Sequence, residues 1–284
     1  MAVLLRQFRA LLLEESQIAA HHAERRAHFV RDKRQQPTKF LMVHRDAHVN
    51  YRTNRLPPLV SIIIPVKSEA KALSDLLLDL RADVGADVEV IVSAATPLDD
   101  VLAAVRARYT NVTWVESAPG RGTQLNAGAA RATGEWVWFV HADSRLPASW
   151  LTAFRTLDAA RVAGGAFRFA LDSSAWQARL LERAVALRVR WFNLPYGDQG
   201  LFVRRHVFES LGGFAPLPLM EDVEFVRRLT RSGPVRHLTL RLTTSARRWE
   251  REGWLRRSLR NLTTLSLYAL GVSPERLARR YYEQ

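Results

Sequence analysis

From residue 59 onward, short apolar runs alternate with amphipathic helical segments, and this alternation constrains the fold more than any other feature. "LVSIIIPV" (59–66) is a continuous β-branched run, which is typical of a strand buried on both faces of a parallel sheet. "EAKALSDLLLDLRA" (69–82) follows with leucines at helical spacing. Further strands and a second helix are predicted at residues 87–94, 98–109, 111–117 and 135–142. The repeated unit predicts an α/β fold with a Rossmann-like, doubly wound, mostly parallel sheet flanked by helices.

The pattern changes at both ends, and it predicts three regions. Residues 1–58 begin with an amphipathic segment, continue with a basic stretch and end in a proline pair that stops any preceding helix, so we interpret them as a helical extension and linker. Residues 59–250 form the α/β domain. Residues 251–284 form a helical tail whose apolar stripe contains Leu255, Leu259, Leu262 and Leu265.

The composition predicts a folded protein that attracts anions. Lys and Arg total 42 against 28 Asp and Glu, a net charge of +14, and 48% of the residues are hydrophobic. Nucleic acid, anionic lipid headgroups and diphosphate substrates all suit such a surface. Because the arginines are spread along the chain without a known nucleic-acid-binding motif, we expect no nucleic-acid partner. With no cysteine, the chain has no disulfide and no thiolate metal site.

No run of about 20 apolar residues is present, and the N-terminus is a poor signal peptide, which together predict a cytoplasmic protein. The amphipathic start and the arginine-rich tail suggest a further hypothesis. They would lie on the inner face of the cytoplasmic membrane as a peripheral contact and bring a lipid-linked acceptor to the site. The alternative is that both segments pack against the α/β domain.

The strand that ends in "WFVHADSRLP" presents His141 and Asp143 at its carboxyl end. Ligands of doubly wound sheets bind at these ends. If the strand continues, residues 141 and 143 point to the same side, where both could face one ion or phosphate. Carboxylate oxygen suits Mg²⁺ or Mn²⁺, and neutral imidazole suits Mn²⁺. Alternatively, Asp143 caps the turn that follows.

Glu221 and Asp222 follow the Gly- and Pro-rich "GGFAPLPLM" and open a predicted helix. Carboxylates are favoured in the first turn because the helix macrodipole is positive there. A simple helix cap is therefore one interpretation of the pair. The other is that the preceding loop places Asp222 at the edge of a cleft.

Three further motifs suit phosphates or hydroxyls. In "TSARRWEREG", Arg248 offers a fork of donors for a diphosphate and Trp249 offers a packing face, although surface arginines are common. "GRGTQLNAG" has the glycines and the arginine, Arg121, of an anion-binding loop that enters a helix, but it is neither a P-loop nor a dinucleotide fingerprint. In "PYGDQG", Asp198 and Gln199 could hold a polyol or simply close the loop.

Taken in order, these motifs resemble the inverting family-2 glycosyltransferases of GT-A fold. "SIIIPVKSEA" is similar to their opening strand and loop, "GRGTQLNAGAARATGEWVWFVHADSRLP" to their central helix and metal-binding strand, and "LMEDVEF" to their catalytic acidic pair. The bacterial subgroup of radical-SAM/selenodomain-associated transferases shares "HAD", "PYGDQG", "PLMED", "SARRW" and the tail "YALGVSPERLARRYY". The resemblance covers residues 59–284.

The resemblance implies transfer of a sugar from a nucleotide-sugar donor to an acceptor hydroxyl, as in hexosyltransferases. Asp222 would be the general base with Glu221 as its neighbour, and Asp143 with His141 would hold a Mn²⁺ or Mg²⁺ ion on the donor diphosphate. The implied donor-side residues are Pro65, Glu69, Ser93, Arg121, Asn126, Ala142, Arg248 and Trp249. The implied acceptor-side residues are Tyr196, Asp198 and Gln199.

Three positions differ from the family pattern. His141 stands where the first Asp of the Asp-x-Asp motif is usual, Ser93 where a nucleotide-binding carboxylate is usual, and Ser245 where the Gln of the Gln-x-x-Arg-Trp motif is usual. These differences leave an alternative open, namely a catalytically degenerate nucleotide-sugar-binding or scaffold protein.

Overall fold

The computed structural model describes residues 57–157 and 161–282, so residues 1–56 of the predicted extension lie outside the described part. The strands are β1 (Val60–Val66), β2 (Val88–Ala95), β3 (Thr113–Ser117), β4 (Trp136–Phe139), β5 (Ser144–Arg145), β6 (Gly164–Leu171), β7 (Phe202–Arg204) and β8 (Val235–Thr244). The helices are α1 (Ala70–Leu80), α2 (Asp100–Arg108), α3 (Arg121–Ala129), α4 (Trp150–Thr156), α5 (Trp176–Phe192), α6 (Arg205–Ser210), α7 (Glu221–Ser232), α8 (Arg247–Glu252), α9 (Trp254–Ala269) and α10 (Pro274–Tyr282). A short 3₁₀ turn spans Gly197–Gln199.

The described strands form one eight-stranded sheet in the order β3-β2-β1-β4-β7-β6-β8-β5. Strands β3, β2, β1 and β4 are parallel to one another, and Ile63 of β1 lies opposite both Ile91 and Phe139. Strand β7 is antiparallel to β4 and β6, and β5 is antiparallel to β8. The prediction of a mostly parallel α/β sheet flanked by helices is confirmed.

Helices cover both faces of this sheet because side chains alternate along each strand. In β1, Ile62 and Ile64 belong to a buried cluster that includes leucines of α1 and the aromatic residues of α4. Ile63 points the other way, into a second cluster that includes α3 and α7. Both faces are buried, which explains why β1 is apolar apart from Ser61 rather than alternating between apolar and polar residues.

Strand β4 is shorter than predicted, and its end positions the candidate site. Regular pairing stops at Phe139 instead of continuing to residue 142. The chain then turns, with the Ser144 N–H donating to the His141 carbonyl at 3.0 Å. His141 and Asp143 therefore lie on a turn at the carboxyl end of β4, and the alternation of a continuing strand does not relate their side chains.

The tail packs against the sheet domain, but its predicted apolar stripe is divided. Leu265 is buried in the cluster that contains α3 and α7, whereas Leu255, Leu259 and Leu262 are exposed. Three of the four predicted stripe residues therefore face away from the core, because periodicity shows that a helix has an apolar face but not whether that face is covered. None of the described helices is both long enough and apolar enough to cross a bilayer.

Candidate active site

Arg121 lies at the centre of the candidate site and connects three segments of the chain. It is the first residue of α3, near the carboxyl ends of β1 and β4. Its Nη1 lies 3.2 Å from Glu221 Oε1 and 3.6 Å from Asp222 Oδ2, while its Nη2 lies 2.7 Å from His141 Nε2. Residues that are 20 and 100 positions away in sequence thus meet at one guanidinium group.

Glu221 and Asp222 open α7 after Met220, which has a left-handed backbone with φ of 67°. A non-glycine residue rarely adopts this conformation, and such residues are concentrated at functional sites. Asp222 Oδ2 accepts a hydrogen bond from the Gly197 N–H at 2.9 Å, and Oδ1 accepts one from the Val223 N–H at 2.8 Å. The exposed fractions of the two acidic side chains are only 5% and 14%. Asp222 is held by these contacts yet remains reachable.

The contact with Arg121 fixes the tautomer of His141. Because a guanidinium group can only donate, His141 Nε2 must accept this hydrogen bond, and the ring proton must lie on Nδ1. Burial lowers the pKa of His141 well below its usual value, and the charges of Arg121 and Arg248 lower it further. His141 is therefore a neutral imidazole whose Nε2 lone pair is occupied.

The donor set for the implied metal ion is consequently smaller than the sequence predicted. Nε2 of His141 cannot bind an ion while it accepts the hydrogen bond from Arg121. Asp143 is half-buried, and its carboxylate has one long contact, from Thr244 Oγ1 at 3.5 Å. In the described part of the chain, no three carboxylate or imidazole groups are grouped to hold a metal ion. A Mg²⁺ or Mn²⁺ ion near Asp143 would find one described carboxylate there and would need its other oxygen ligands from elsewhere, such as a bound substrate.

The "PYGDQG" loop packs directly on Arg121. A Cβ atom added to Gly197 would lie 2.0 Å from Arg121 Nη2, so only glycine permits this approach. Gln199 is buried and accepts hydrogen bonds from Arg188 and the Tyr196 N–H, both at 3.1 Å, while donating to the Phe167 carbonyl. Its side chain shapes the loop: its carbonyl oxygen accepts both of these bonds, whereas only one of its two amide N–H groups donates to a described residue. Tyr196 lies beneath Arg188, whose guanidinium carbon is 3.4 Å from the ring centre.

Burial makes this pocket unfavourable for additional negative charge. It raises the pKa of Glu221 although Arg121 opposes the shift, and it raises the pKa of Asp198 although Arg188 opposes that one. Burial also raises the pKa of Tyr196 to about 12, so its phenol stays protonated. Oε1 of Glu221 has no hydrogen-bond partner in the described residues because Arg121 is close but poorly aligned.

On the predicted donor side, Pro65 lies next to this group, and Glu69 lies close enough to Arg248 to feel its charge. Pro65 lines a small cavity of about 10 Å³ together with Arg121, His141 and Asp222. Glu69 accepts hydrogen bonds from the Lys67 and Ser68 N–H groups at 2.9 and 3.0 Å. Burial tends to raise the pKa of Glu69, but these hydrogen bonds and the charge of Arg248 lower it overall.

Arg248 is exposed, acts electrostatically on both His141 and Glu69, and has no ion pair among the residues that the structure describes. A separate cavity of about 420 Å³ is lined by the end of α1 and by residues 108–112. It adjoins the segments that lead into β2 and β3, away from the acidic pair, and we assign it no role.

Four predicted donor residues lie elsewhere. Ser93 is fully buried against Gly128 of α3, and its hydroxyl has no hydrogen-bond partner among the described residues. Asn126 donates to the Phe214 carbonyl at 2.8 Å and accepts from the Phe214 N–H at 2.9 Å, which fastens a loop to α3. Ala142 is buried in the core, and Trp249 packs against Phe169 in a third buried cluster. The structure does not bring these side chains to Arg121.

Two nearby residues were not predicted. Arg188 of α5 supports the "PYGDQG" loop through Tyr196 and Gln199, but its sequence context reads only as one more helical arginine. Tyr282, in the last described turn, is close enough to Glu221 and Arg121 for their charges to influence its pKa, which burial raises. The tail motif "ARRYY" was a signal for it, although nothing in the motif indicated the direction of the side chain.

Comparison with known proteins is consistent with this arrangement. The family model described as "Glycosyl transferase family 2" matches residues 61–213, just over half of the chain, and the chain belongs to this family. It is therefore a family-2 glycosyltransferase. A search of curated protein sequences found no match.

Solved structures share the fold. The mannosyltransferase PcManGT from Pyrobaculum calidifontis, in complex with GDP-Man and Mn²⁺, is 23% identical with a TM-score of 0.50, and the match covers 84% of this chain and 68% of that one. S. aureus TarS 1–349, in complex with UDP-GlcNAc, is 16% identical with a TM-score of 0.51. That match covers 66% of this chain and 58% of the TarS chain, so the present chain spans little more than half of it. At these identities the likeness shows the GT-A fold.

Proposed function

We propose that this protein is an inverting glycosyltransferase that moves a sugar from a nucleotide-sugar donor to an acceptor hydroxyl, with Asp222 as the general base. The observation that carries the proposal is the meeting of Asp222, Glu221 and His141 at Arg121. This group lies at the carboxyl ends of parallel strands, where doubly wound sheets bind their ligands. The donors bound to PcManGT and TarS, GDP-Man and UDP-GlcNAc, support a nucleotide sugar but differ in the base.

In the proposed reaction, Asp222 takes the proton of the acceptor hydroxyl as that oxygen bonds to the anomeric carbon. The bond from this carbon to the phosphate oxygen breaks, and the nucleoside diphosphate leaves with the electron pair. Attack opposite the leaving group inverts the configuration. The Gly197 and Val223 N–H groups orient the Asp222 carboxylate, and proton transfer to a positioned base contributes about 10²- to 10⁴-fold in rate.

Asp143 would hold the divalent ion, which when bound neutralises negative charge on the departing diphosphate. His141 has a different proposed part from the one that the sequence suggested. By accepting from Arg121 it holds the guanidinium beside the acidic pair, so we treat it as a positioning residue. We also propose, from the shared motifs, that the chain belongs to the radical-SAM/selenodomain-associated subgroup, with a C-terminal tail that follows the catalytic domain at residue 250.

A thermal-shift screen of nucleotide sugars with Mn²⁺ or Mg²⁺ identifies the donor, because a ligand that binds only the folded state raises the melting temperature. With that donor, Asp222→Asn should retain the melting shift and lose transfer by at least about 100-fold. Glu224→Gln is the matched control, since it removes another carboxylate from the first turn of α7 without touching Arg121. Normal turnover by Asp222→Asn would assign the base to another residue.

A degenerate binding protein is the second candidate, and one observation favours it. The cavity between Pro65 and Asp222 is about 10 Å³, which suits a single water rather than a sugar ring. In that case a nucleotide sugar would raise the melting temperature, yet neither hydrolysis nor transfer would occur with Mn²⁺. Release of nucleoside diphosphate by the wild type, but not by Asp222→Asn, would exclude this candidate.

A further inference from the structure

Helix α5 carries an apolar stripe that no described segment covers. The stripe consists of Trp176, Leu180, Leu187 and Trp191, and its two tryptophans are 70% and 64% exposed. At 3.6 residues per turn these four side chains lie within a sector of about 60° and extend over about 22 Å of the helix. The opposite face is buried through Ala178, Val185 and Val189. The stripe is therefore a second, outward-facing apolar surface on a helix that is already packed.

Positive charge borders one side of this stripe. Arg183 and Arg190 are exposed, and the helical period places both within about 40° of the stripe on the same flank. Neither has an ion pair in the described part of the chain. The only acidic residue of α5, Glu182, is buried on the other face, where it accepts from Arg179 and Arg241. The exposed surface of α5 thus combines apolar, aromatic and cationic side chains without a carboxylate.

We propose that α5 docks this protein on an anionic lipid bilayer through Trp176, Leu180, Leu187 and Trp191. Tryptophan prefers the boundary between headgroups and acyl chains, and helices that lie in this boundary combine such residues with flanking arginines. The charge of Arg183 and Arg190 complements anionic headgroups. A second copy of the chain fits less well, because a twofold contact would bring this cationic surface against itself.

Two neighbouring features support docking through α5. The first turn of α9 packs through Trp254 on the same buried cluster as α5, and α9 exposes Leu255, Leu259 and Leu262 beside Arg256. A second apolar and cationic surface therefore lies on an adjacent helix.

At its other end, α5 leads directly into the "PYGDQG" loop, whose Gly197 binds Asp222. Docking would bring the bilayer close to the acceptor side. That the acceptor hydroxyl is carried by a lipid is a corollary that rests on the proposed function.

The test is sedimentation of the full chain with vesicles at low and high salt, without donor, so that its outcome is independent of catalysis. Vesicles of phosphatidylcholine with phosphatidylglycerol are compared with phosphatidylcholine alone. Leu187→Ser combined with Trp191→Ser should weaken binding to the anionic vesicles by at least about tenfold. The matched control combines Leu78→Ser with Val101→Ser, which are exposed apolar residues of α1 and α2.

Charge is tested separately by Arg183→Glu combined with Arg190→Glu. This pair should abolish the preference for anionic vesicles, while Arg81→Glu with Arg131→Glu, two exposed arginines elsewhere, should leave it largely intact. Brominated lipids should quench tryptophan fluorescence of the wild type, and a Trp176→Phe and Trp191→Phe variant should lose most of the quenching. These results would support docking by α5.

Other outcomes would overturn the proposal. Binding that is unchanged in the Leu187→Ser and Trp191→Ser variant would assign membrane contact to another segment, and absence of wild-type binding at low salt would exclude it. A lower melting temperature of that variant would mean that the chain itself covers the stripe. A wild-type dimer that this variant dissociates would identify a second copy as the occupant. Asp222→Asn should sediment like the wild type even when it has lost transfer, so membrane docking and the proposed catalytic function can fail independently.

Discussion

Replacing Gly197 with alanine should displace Arg121 without unfolding the protein. The added Cβ atom would lie 2.0 Å from Arg121 Nη2, whereas ordinary contacts of a Cβ atom begin at about 3.4 Å. The guanidinium must therefore retreat by about 1.4 Å. Because it is the far end of a flexible side chain, it can move without shifting the backbone. The backbone of Gly197 does not require a left-handed conformation, so alanine is tolerated there.

The retreat has a calculable consequence for the site. The hydrogen bond from Arg121 to His141, now 2.7 Å, would lengthen beyond hydrogen-bonding distance, and the ion pairs with Glu221 and Asp222 would weaken. A hydrogen bond of a charged group is worth about 1.5–3 kcal/mol. If the transition state depends on this arrangement, kcat/KM should fall on the order of 10- to 100-fold. The energy of the missing contact thus sets the size of the expected loss.

Stability should change far less than activity. Arg121 is 35% exposed, so water can solvate the displaced guanidinium. Replacing glycine by alanine also stabilises by about 0.4–1 kcal/mol, because it restricts the unfolded chain. We expect the melting temperature to stay within about 4 °C of the wild type. Gly85→Ala is the matched control, since its Cβ atom would meet nothing within 4 Å and its backbone is unstrained.

The measurement is transfer, or release of nucleoside diphosphate, with the donor found by thermal shift, beside the melting temperatures of both glycine variants. Full activity of Gly197→Ala at an unchanged melting temperature would show that the position of Arg121 is irrelevant to catalysis. Unfolding of Gly197→Ala would show that the loop, rather than the arginine, is the rigid partner. Either result would refute the reasoning that Gly197→Ala lowers activity by displacing the Arg121 guanidinium.

Two other perturbations test stability. Glu182→Gln should lower the free energy of unfolding by about 2–4 kcal/mol in denaturant titrations, because the buried carboxylate holds the Leu171 N–H, Arg179 and Arg241 together. The control is Glu116→Gln, at the exposed pair with Arg106, which should change the free energy of unfolding by less than about 1 kcal/mol. Burial raises the pKa of Glu221 above 4.5, so its contribution to stability is present below about pH 4.5 and is lost as the pH rises through the folded-state pKa. Glu221→Gln should remove that part of the pH dependence, and an unchanged profile would contradict the shift.

The parallel half of the sheet was predictable because burial in the fold requires the same apolar, β-branched residues that favour a strand locally. A strand buried on both faces is mostly apolar, so β1 and β2 were recognised from apolar runs that only Ser61, Glu89 and Ser93 interrupt. Short strands carry no such signal. Strand β5 has only two residues, and β7 has three, so neither shows a period. Their place in the sheet depends on pairing with β8, β4 and β6, which is a tertiary property.

The sequence predicted the positions of site residues that lie at the ends of strands and helices. It did not predict contacts that depend on the direction in which a side chain points. Arg121 and the acidic pair begin helices and His141 lies on the turn after β4, so topology brings them together. Asn126 follows Arg121 by five residues, and the helical turn directs it to Phe214 instead of the site. Ser93 faces α3 because alternate residues of β2 point to opposite faces of the sheet. Motif matching supplied positions but could not supply these directions.

The contacts of the two site arginines indicate a division of labour. Arg121 is committed to Glu221, Asp222 and His141, so moving it to a phosphate would give up these contacts. Arg248 has no ion pair among the described residues and acts on the same imidazole from an exposed position. A diphosphate held near Asp143 would therefore bind Arg248, while Arg121 would remain paired with Glu221 and Asp222. On this basis Arg248→Ala should weaken donor binding, whereas displacement of Arg121 should lower turnover of the bound donor.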